Sequence, residues 1–300
     1  MPFIEIKEVV KQYDGHLALD RVSMDVPQGR IYGLLGPNGA GKSSLIRIIN
    51  MISIPDSGEV LLGGRKMTID DISRIGYLPE ERGLYKKMKV SDHIVYLARL
   101  KGMEKREAYR QMDEWLERFD LMQWRNRKVE TLSKGMQQKV QFIATVIHKP
   151  ELLIFDEPFS GFDPVNAQQL KQEIIRLRDE GATILFSTHN MESVEEVCEE
   201  ITLINHARVV LQGKVGEIKQ QNKKNLFTVS VSGDKPVEPC ENLFTVENSQ
   251  NSTAQIRLKP QVEVRNVIAW LNDRYVLTSF VEQLPSMNEI FIETVKKLNA

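Results

Sequence analysis

The sequence is poor in cysteine and in net charge, and each shortage excludes a class of protein. Only two of its 300 residues are cysteines, Cys198 and Cys240, and neither belongs to a C-x-x-C pattern. This usage predicts a reducing compartment, two unpaired thiols and no zinc site. The formal net charge of −1 argues against a bulk electrostatic grip on nucleic acid, although it leaves room for a local basic patch.

Long apolar segments are missing as well. No stretch approaches the roughly 18–20 apolar residues that are needed to cross a bilayer. The first residues include Glu5 and Glu8 and lack the apolar core of a signal peptide. We therefore expect a cytoplasmic chain. Its 41% hydrophobic and 27% charged residues are ordinary for a globular protein, and its length predicts one large or two modest domains.

What the sequence does contain is the pattern G-x-x-x-x-G-K-[ST], a loop that wraps the phosphates of a nucleoside triphosphate. Residues 30–35 before it predict a buried strand, and residues 44–49 after it are apolar at helical spacing, which disfavours an incidental glycine-rich turn. The glycines let the backbone point its N–H groups inward, and the helix N-terminus adds a positive dipole. We expect Lys42 to reach the β- and γ-phosphates and the Ser43 hydroxyl to bind Mg²⁺. The predicted nucleotide-binding residues of this loop are Gly36, Pro37, Asn38, Gly39, Ala40, Gly41, Lys42, Ser43 and Ser44.

Two adjacent acids follow a second buried-strand pattern. Residues 152–155 are apolar and strand-forming, and Asp156 and Glu157 come directly after them. Ligands bind at this carboxyl end of the strands in open α/β sheets. Asp156 is suited to hold Mg²⁺, directly or through water, beside Ser43. Glu157 projects differently and is suited to polarise a water in line with the γ-phosphate. A polar strand end without function is the alternative, and the phosphate loop earlier in the chain disfavours it.

Strand and helix patterns alternate along most of the chain. Residues 3–35 predict short strands broken by turns. Residues 91–119 and 133–147 have helical periodicity and many charges, which predicts a mainly helical insert at about residues 83–150. Strand and helix then alternate again from residue 152. With a phosphate loop, this alternation predicts an α/β fold in which helices cover a mainly parallel core sheet.

The pattern changes after about residue 220. Residues 220–225 are polar and predict a linker. Strand and helix patterns follow it as far as residue 298. We therefore expect two domains, a first one over residues 1–220 and a small α+β domain over residues 221–300.

Taken together, the motifs resemble those of the ATP-binding cassette (ABC) ATPases, and the resemblance covers residues 1 to about 220. In chain order the motifs are Tyr13, Gly36–Ser43, Tyr77–Glu80, Leu132–Met136, Asp156–Glu157, Ser160–Asp163 and His189. The resemblance implies a P-loop NTPase with antiparallel N-terminal strands and a helical subdomain. It also implies hydrolysis of ATP with Mg²⁺.

The family's roles carry over by position. Tyr13 matches the aromatic residue that stacks on adenine, and His189 matches the switch histidine that contacts the γ-phosphate. A loop that crosses between two cassettes, the D-loop, corresponds to Ser160, Gly161, Phe162 and Asp163. The expected catalytic residues are Glu157, His189 and Glu80. The expected metal ligands are Ser43, Glu80 and Asp156.

The segment that the family uses on its partner's ATP departs from the usual Leu-Ser-Gly-Gly-Gln. Here this signature consists of Leu132, Ser133, Lys134, Gly135 and Met136. Ser133 predicts the N-cap of a helix whose first amides are phosphate donors, and Gly135 allows a close approach. Because both survive, we expect recognition of the γ-phosphate in spite of Lys134 and Met136. A plain N-capped helix is the alternative.

Glu80 is a second departure, because the family normally has glutamine at this hinge between its two subdomains. A carboxylate is a good hard ligand for Mg²⁺ but adds repulsion toward the phosphates. We expect ATPase activity with an altered metal dependence.

One phosphate loop and one signature imply an ATP-sandwich dimer, formed with a second copy or with a homologous cassette. Two uses then fit a chain without a membrane span. One is the motor subunit of a membrane ABC transporter whose permease is a separate polypeptide. The other is a soluble ABC ATPase that acts in translation or DNA maintenance. Such soluble proteins usually carry two cassettes, long inserts, zinc-binding cysteines or basic surfaces, none of which is evident in the sequence.

We therefore expect a transporter subunit that lies peripherally on the inner face of the cell membrane and binds no nucleic acid. Residues 82–90 mix basic with apolar and aromatic side chains, and the resemblance implies that this segment receives a short helix of the permease. Residues 77–85 and 284–291 resemble bacterial and archaeal exporters of sodium or drugs, whose cassettes carry a similar C-terminal extension. This likeness favours export.

Overall fold

A computed structural model describes residues 2–81, 83–233 and 235–298. Within these ranges the strands are β1 (Pro2–Tyr13), β2 (His16–Pro27), β3 (Ile31–Leu35), β4 (Ser57–Leu62), β5 (Arg65–Lys66), β6 (Ile75–Leu78), β7 (Leu152–Asp156), β8 (Thr183–Thr188), β9 (Glu200–Asn205), β10 (Arg208–Lys214), β11 (Leu226–Val231), β12 (Phe244–Gln250), β13 (Thr253–Leu258) and β14 (Leu277–Gln283). The α-helices are α1 (Lys42–Ile49), α2 (Val90–Leu100), α3 (Lys105–Arg118), α4 (Lys134–Val146), α5 (Pro164–Asp179), α6 (Met191–Val197), α7 (Val215–Gln221), α8 (Val264–Arg274) and α9 (Met287–Leu298). None of the helices in the described ranges is long and apolar enough to span a membrane.

The chain divides into two compact units, residues 1–214 and 215–300. This division lies a few residues before the boundary expected at the polar stretch 220–225. The reason is helix α7, which begins at Val215, includes residues 220 and 221 of that stretch and packs with α9 inside the second unit.

A six-stranded sheet with the order β10-β9-β3-β8-β7-β6 forms the centre of the first unit, as far as the structure describes it. Its ladders are parallel except where β10 pairs with β9. Strands β3, β7 and β8 are buried along their whole length, which explains their continuous apolar sequences. The predicted α/β fold with a mainly parallel core sheet is confirmed.

A second sheet holds the helix that follows the phosphate loop. Strands β2, β1, β4 and β5 pair antiparallel in that order. Leu45 and Ile49 of α1 are fully buried in one apolar cluster with Ile6 of β1 and Leu34 of β3. Each such side chain contributes on the order of 1.5–3 kcal/mol by burial. The helix is therefore fixed between the two sheets.

The helical part of the first unit is joined to the core sheet by aromatic rings. Trp115 of α3 stacks at 5.8 Å on Phe119, which directly follows that helix, and Phe119 meets Phe142 of α4 edge to face at the same distance. Phe142 in turn stacks on Phe155 of β7 at 5.6 Å. The periodic stretch 91–119 contains two helices, α2 and α3, because α2 ends just before Gly102, whose φ is +89°.

Residues 200–214, for which the sequence patterns predicted no strand, form the β9–β10 hairpin. Its two turn residues, His206 and Ala207, both have positive φ, at 45° and 65°. Such turns are usually signalled by glycine or asparagine. The sequence lacks that signal here, so the hairpin was missed.

The second unit contains a four-stranded antiparallel sheet with the order β12-β13-β11-β14. Val267 and Leu271 of α8 pack on one face of it, against Phe227, Val229 and Ile256. This is the expected small α+β arrangement.

Two histidines of the first unit are held neutral by burial. His93 of α2 is fully buried, and neither ring nitrogen has a hydrogen-bond partner within the described ranges. Burial lowers the pKa of His93 to about 4. Burial, with repulsion from Lys101, lowers the pKa of His148 to about 4. An unfolded histidine has a pKa of about 6.5.

We expect the free energy of unfolding of the protein to fall between pH 7 and pH 5. In this window the unfolded chain takes up protons at His93 and His148 and the folded chain does not, so stability rises with pH. At pH 5 the loss is about 2 kcal/mol for His93. Urea titrations at both pH values test this with His93→Phe, which removes the proton site, and with the exposed control His206→Asn. An undiminished loss in His93→Phe would contradict it.

Candidate active site

The ends of several strands of the first unit meet around one open pocket of about 400 Å³. Its lining residues are Tyr13, His16, Ala18, Pro37, Asn38, Gly39, Gly41, Lys42, Ser43, Ser44, Arg47, Glu80, Asp156 and Glu157. The pocket therefore brings together the phosphate loop, both adjacent acids, Tyr13 and Glu80, as the motifs predicted.

The phosphate loop requires glycine where its backbone passes close to neighbouring strands. Gly36 has φ +149°, and a Cβ there would lie 2.2 Å from the carbonyl oxygen of Ile204 in β9. Gly41 has φ +116°, and a Cβ there would lie 2.4 Å from the carbonyl oxygen of Ala18 in β2. No larger residue fits either position without a backbone shift.

Two of the predicted loop residues, Gly36 and Ala40, are not among those that line the pocket. Ala40 is buried, its N–H donates to the Pro37 carbonyl oxygen at 3.2 Å, and its own carbonyl accepts from the N–H of Ala207. Gly36 and Ala40 therefore hold the loop in place without lining the pocket.

Lys42 is buried at the start of α1, with its side chain folded back onto the loop. Its Nζ donates to the carbonyl oxygen of Gly36 at 2.7 Å and to that of Pro37 at 3.2 Å. Burial lowers the pKa of Lys42, and the opposing attraction comes from Glu157, Asp156 and Glu80. An ammonium group thus lies among three carboxylates.

Asp156 ends β7 and is only 6% exposed. Burial raises the pKa of its carboxyl group, and the nearby charges of Glu157 and Glu80 raise it further. A divalent cation would relieve this repulsion. The hydroxyl of Ser43 and the carboxylates of Glu80 and Asp156 line the same pocket, and oxygen donors of this kind suit Mg²⁺.

Glu157 follows with a positive φ of 49°. One of its carboxylate oxygens, Oε1, accepts from the backbone N–H of His189 at 2.8 Å and lies 2.6 Å from Nδ1 of the His189 ring. The other, Oε2, accepts from the hydroxyl of Thr188 at 3.0 Å. His189 does not line the pocket itself; it reaches the site through Glu157.

Tyr13 ends β1 at the rim of the pocket with 37% of its surface exposed. Its hydroxyl lies 3.2 Å from the hydroxyl of Ser53. The ammonium of Lys11 lies 5.3 Å from the ring centroid and donates to Asp56 at 2.8 Å. The ring is braced at its edge and at one face, and its exposed surface is available for stacking on a base.

The signature and the D-loop lie elsewhere in the chain, and none of their residues lines the pocket as described. The hydroxyl of Ser133 caps α4 by accepting from the N–H of Met136 at 3.3 Å, and Lys134 is exposed. The side-chain amide of Gln138 on the same helix donates to the carbonyl oxygen of Ser160. The two motifs are therefore held next to each other.

Three lining residues, His16, Ala18 and Arg47, were not anticipated. His16 pairs with Tyr13 across the turn between β1 and β2. Arg47 follows Ser43 by one helical turn on α1, a spacing that places both on one face. The position of His16 across the turn from Tyr13 and the spacing of Arg47 from Ser43 could both have been read from the sequence.

Known proteins match most of the chain. Residues 19–160 match the family described as ABC transporter, and residues 213–295 match the C-terminal domain described as ATP-binding protein DrrA1-3-like. The uncharacterized ABC transporter ATP-binding protein YhaQ of Bacillus subtilis is 44% identical over 97% of this chain and 98% of its own. The daunorubicin/doxorubicin resistance ATP-binding protein DrrA of Streptomyces peucetius is 28% identical over 96% of this chain and 91% of its own. A solved ATP-binding subunit of an ABC transporter is similar with a TM-score of 0.69 and 29% identity, over 73% of this chain and 92% of its own.

We expect Gly41→Ala to destabilise the protein by roughly 2–4 kcal/mol, because the new Cβ meets the backbone of β2 at a positive φ. Gly39→Ala is the matched control in the same loop. Its φ is also positive, at +80°, but nothing lies within 4 Å of the new Cβ, so we expect a loss of only about 1 kcal/mol. Urea unfolding of both variants measures the difference. Equal losses would show that the close approach to Ala18 is unimportant.

Proposed function

Since this chain belongs to the ABC transporter ATP-binding protein family and is an ATPase, we propose that it is the motor subunit that drives a separate membrane permease, in the direction of export. The observation that carries the proposal is the distribution of its motifs. The groups that suit ATP binding and hydrolysis surround one pocket, whereas the signature lies outside it. The chain thus has a nucleotide site and, elsewhere, the part that a second site would need.

Within one chain the geometry supports a role for each of these groups. The loop amides and Lys42 neutralise phosphate charge, and the exposed ring of Tyr13 stacks on adenine. Ser43, Asp156 and Glu80 would hold Mg²⁺, which when bound would supply positive charge against the phosphates. Glu157, held at the pocket by its bonds to β8, orients and activates the attacking water, and His189 turns from it to the γ-phosphate.

Two copies, or one copy and a homologous cassette, complete each site. The N-terminus of α4 offers the Ser133 hydroxyl, the backbone amides of Lys134 and Gly135 and the exposed ammonium of Lys134. The D-loop lies beside it through the bond from Gln138 to Ser160. We assign this surface to the partner's ATP, so that binding closes the dimer and hydrolysis reopens it.

The permease is assigned to the surface that follows Glu80. Arg82 of the predicted docking segment 82–90 lies outside the described residues. Of its neighbours, Tyr85 is 51% exposed and Leu100 of α2 is 64% exposed. They adjoin a cavity of about 310 Å³ that is lined in part by Leu84 and Leu97. An exposed apolar patch at a groove is typical of a protein-binding site.

Export is favoured by the likeness to a drug-resistance ATP-binding protein along nearly the whole chain, including the C-terminal domain. A relative with that name acts in resistance to daunorubicin and doxorubicin. From this likeness we infer the direction of transport, which is export, but not the transported substrate. Such a subunit works at the inner face of the cell membrane.

Glu157→Gln tests the sandwich dimer. We expect this variant to bind ATP and to elute as a dimer in size-exclusion chromatography with ATP and Mg²⁺, because it keeps the shape of the site but loses the base. The matched control is the same variant with Lys42→Ala, which should remain monomeric because it lacks the phosphate contact. A monomer in both would contradict the mechanism.

An affinity-tagged Glu157→Gln protein tests whether the dimer drives a membrane permease. We expect a polytopic membrane protein to co-purify with it in near-equal amount from detergent-solubilised membranes of its native cells. Recovery of ribosomes or nucleic acid would favour a soluble ABC ATPase in translation or DNA maintenance instead.

Glu80→Gln tests the metal assignment. A neutral amide is a weaker ligand than a carboxylate, so we expect the Mg²⁺ concentration for half-maximal ATPase rate to rise about threefold or more. Glu81→Gln is the matched control, since Glu81 is exposed and does not line the pocket. If both variants kept the wild-type Mg²⁺ dependence, Glu80 would not be a metal ligand.

A further inference from the structure

Glu157 adopts a backbone conformation that the residues around it must hold in place. Its φ of 49° lies in the left-handed region, where a residue other than glycine is strained by of the order of 1–3 kcal/mol. Its N–H donates to the carbonyl oxygen of Ser187 in β8 at 2.9 Å. Strain of this kind persists where neighbours over-determine the geometry, as strand β8 does here.

The carboxylate of Glu157 receives hydrogen bonds of two different kinds. The ring of His189 is exposed, with 58% of its side chain in solvent, so its contact at Oε1 is free to exchange. Thr188, in contrast, is only 2% exposed and ends strand β8. Its side chain is branched at Cβ and has few rotamers available. The bond to Oε2 is therefore the fixed one.

The direction of the Thr188 proton follows from its partners. A threonine hydroxyl has one proton to donate. Its Oγ1 already accepts from the N–H of Asn190 at 3.0 Å. The remaining neighbour at 3.0 Å is Oε2 of Glu157, which as a carboxylate only accepts. The hydroxyl thus donates to the carboxylate, and the amide of Asn190 keeps it in that orientation.

We propose that Thr188 is a positioning residue for hydrolysis, which fixes the carboxylate of Glu157 toward the attacking water. This inference rests on the role of Glu157 in the proposed function. When the His189 ring turns to the γ-phosphate, Glu157 keeps two protein donors, the Thr188 hydroxyl and the backbone N–H of His189. One of them holds each oxygen, so the carboxylate plane stays fixed at the moment when it is used.

The test replaces Thr188 by valine, which has the same shape without the hydroxyl, and by serine, which keeps it. We expect Thr188→Val to lower kcat about tenfold, since it removes a hydrogen bond to a charged group. The KM for ATP should stay within about twofold, because Thr188 does not line the pocket. Thr188→Ser should restore kcat to within about twofold of wild type.

Two further variants separate positioning from a loss of stability. Thr202→Val removes another buried hydroxyl, which lies 2.7 Å from the hydroxyl of Tyr32 and outside the site. It should lower the melting temperature without changing kcat. In the Glu157→Gln background, Thr188→Val should cause no further loss of turnover, because the group that it positions is already gone.

An unchanged kcat in Thr188→Val, an equal loss in the serine variant, or a matching rise in KM would overturn the inference. Full turnover in Glu157→Gln would instead refute the role of Glu157 in the proposed function, and with it the role of Thr188. Retained activity in Thr188→Val alone refutes only the role of Thr188, whereas retained activity in Glu157→Gln refutes the role of Glu157.

Discussion

The site depends on the parallel hydrogen-bonded ladder that joins β3, β8 and β7. Each strand is buried on both faces, and adjacent parallel strands must end at the same edge of the sheet. That edge receives the phosphate loop from β3, Asp156 and Glu157 from β7, and Thr188 and His189 from β8. Because buried backbone groups have to be paired, the ladder cannot slip without losing hydrogen bonds, and the groups that it carries stay in register.

Around that edge, backbone contacts from β9 and β2 hold the phosphate loop in place. The phosphate loop is pressed against β9 at Ile204 and against β2 at Ala18, so that only glycine fits at Gly36 and Gly41. Lys42 and Asp156 are buried together, and each has a pKa shifted toward its neutral form by that burial. In a compact, partly dehydrated cluster of one ammonium and three carboxylates, the negative charge exceeds the positive charge. It is suited to a ligand that brings phosphates and a divalent cation at the same time.

Much of this was predictable because the motifs are local. Strands β3 and β7, helix α1 and the order of the loops follow from continuous apolar runs and from glycine spacing. The place of Arg47 in the pocket could also have been predicted, from its helical spacing to Ser43. The β9–β10 hairpin was not, because its turn uses His206 and Ala207 at positive φ instead of glycine or asparagine. The boundary between the two units lies before the expected one, because α7 packs within the second unit although it begins before the polar stretch.

The sequence by itself determined which groups are available: a glycine loop with its lysine, two acids after a buried strand, and Glu80. These are properties of short segments, whose local geometry is set by backbone sterics and by apolar spacing. Only the tertiary structure decided which groups meet. It placed Glu157 between the hydroxyl of Thr188 and the amide of His189, and it kept the signature away from the pocket of its own chain. Contacts between distant segments depend on strand order and register, which no local pattern encodes.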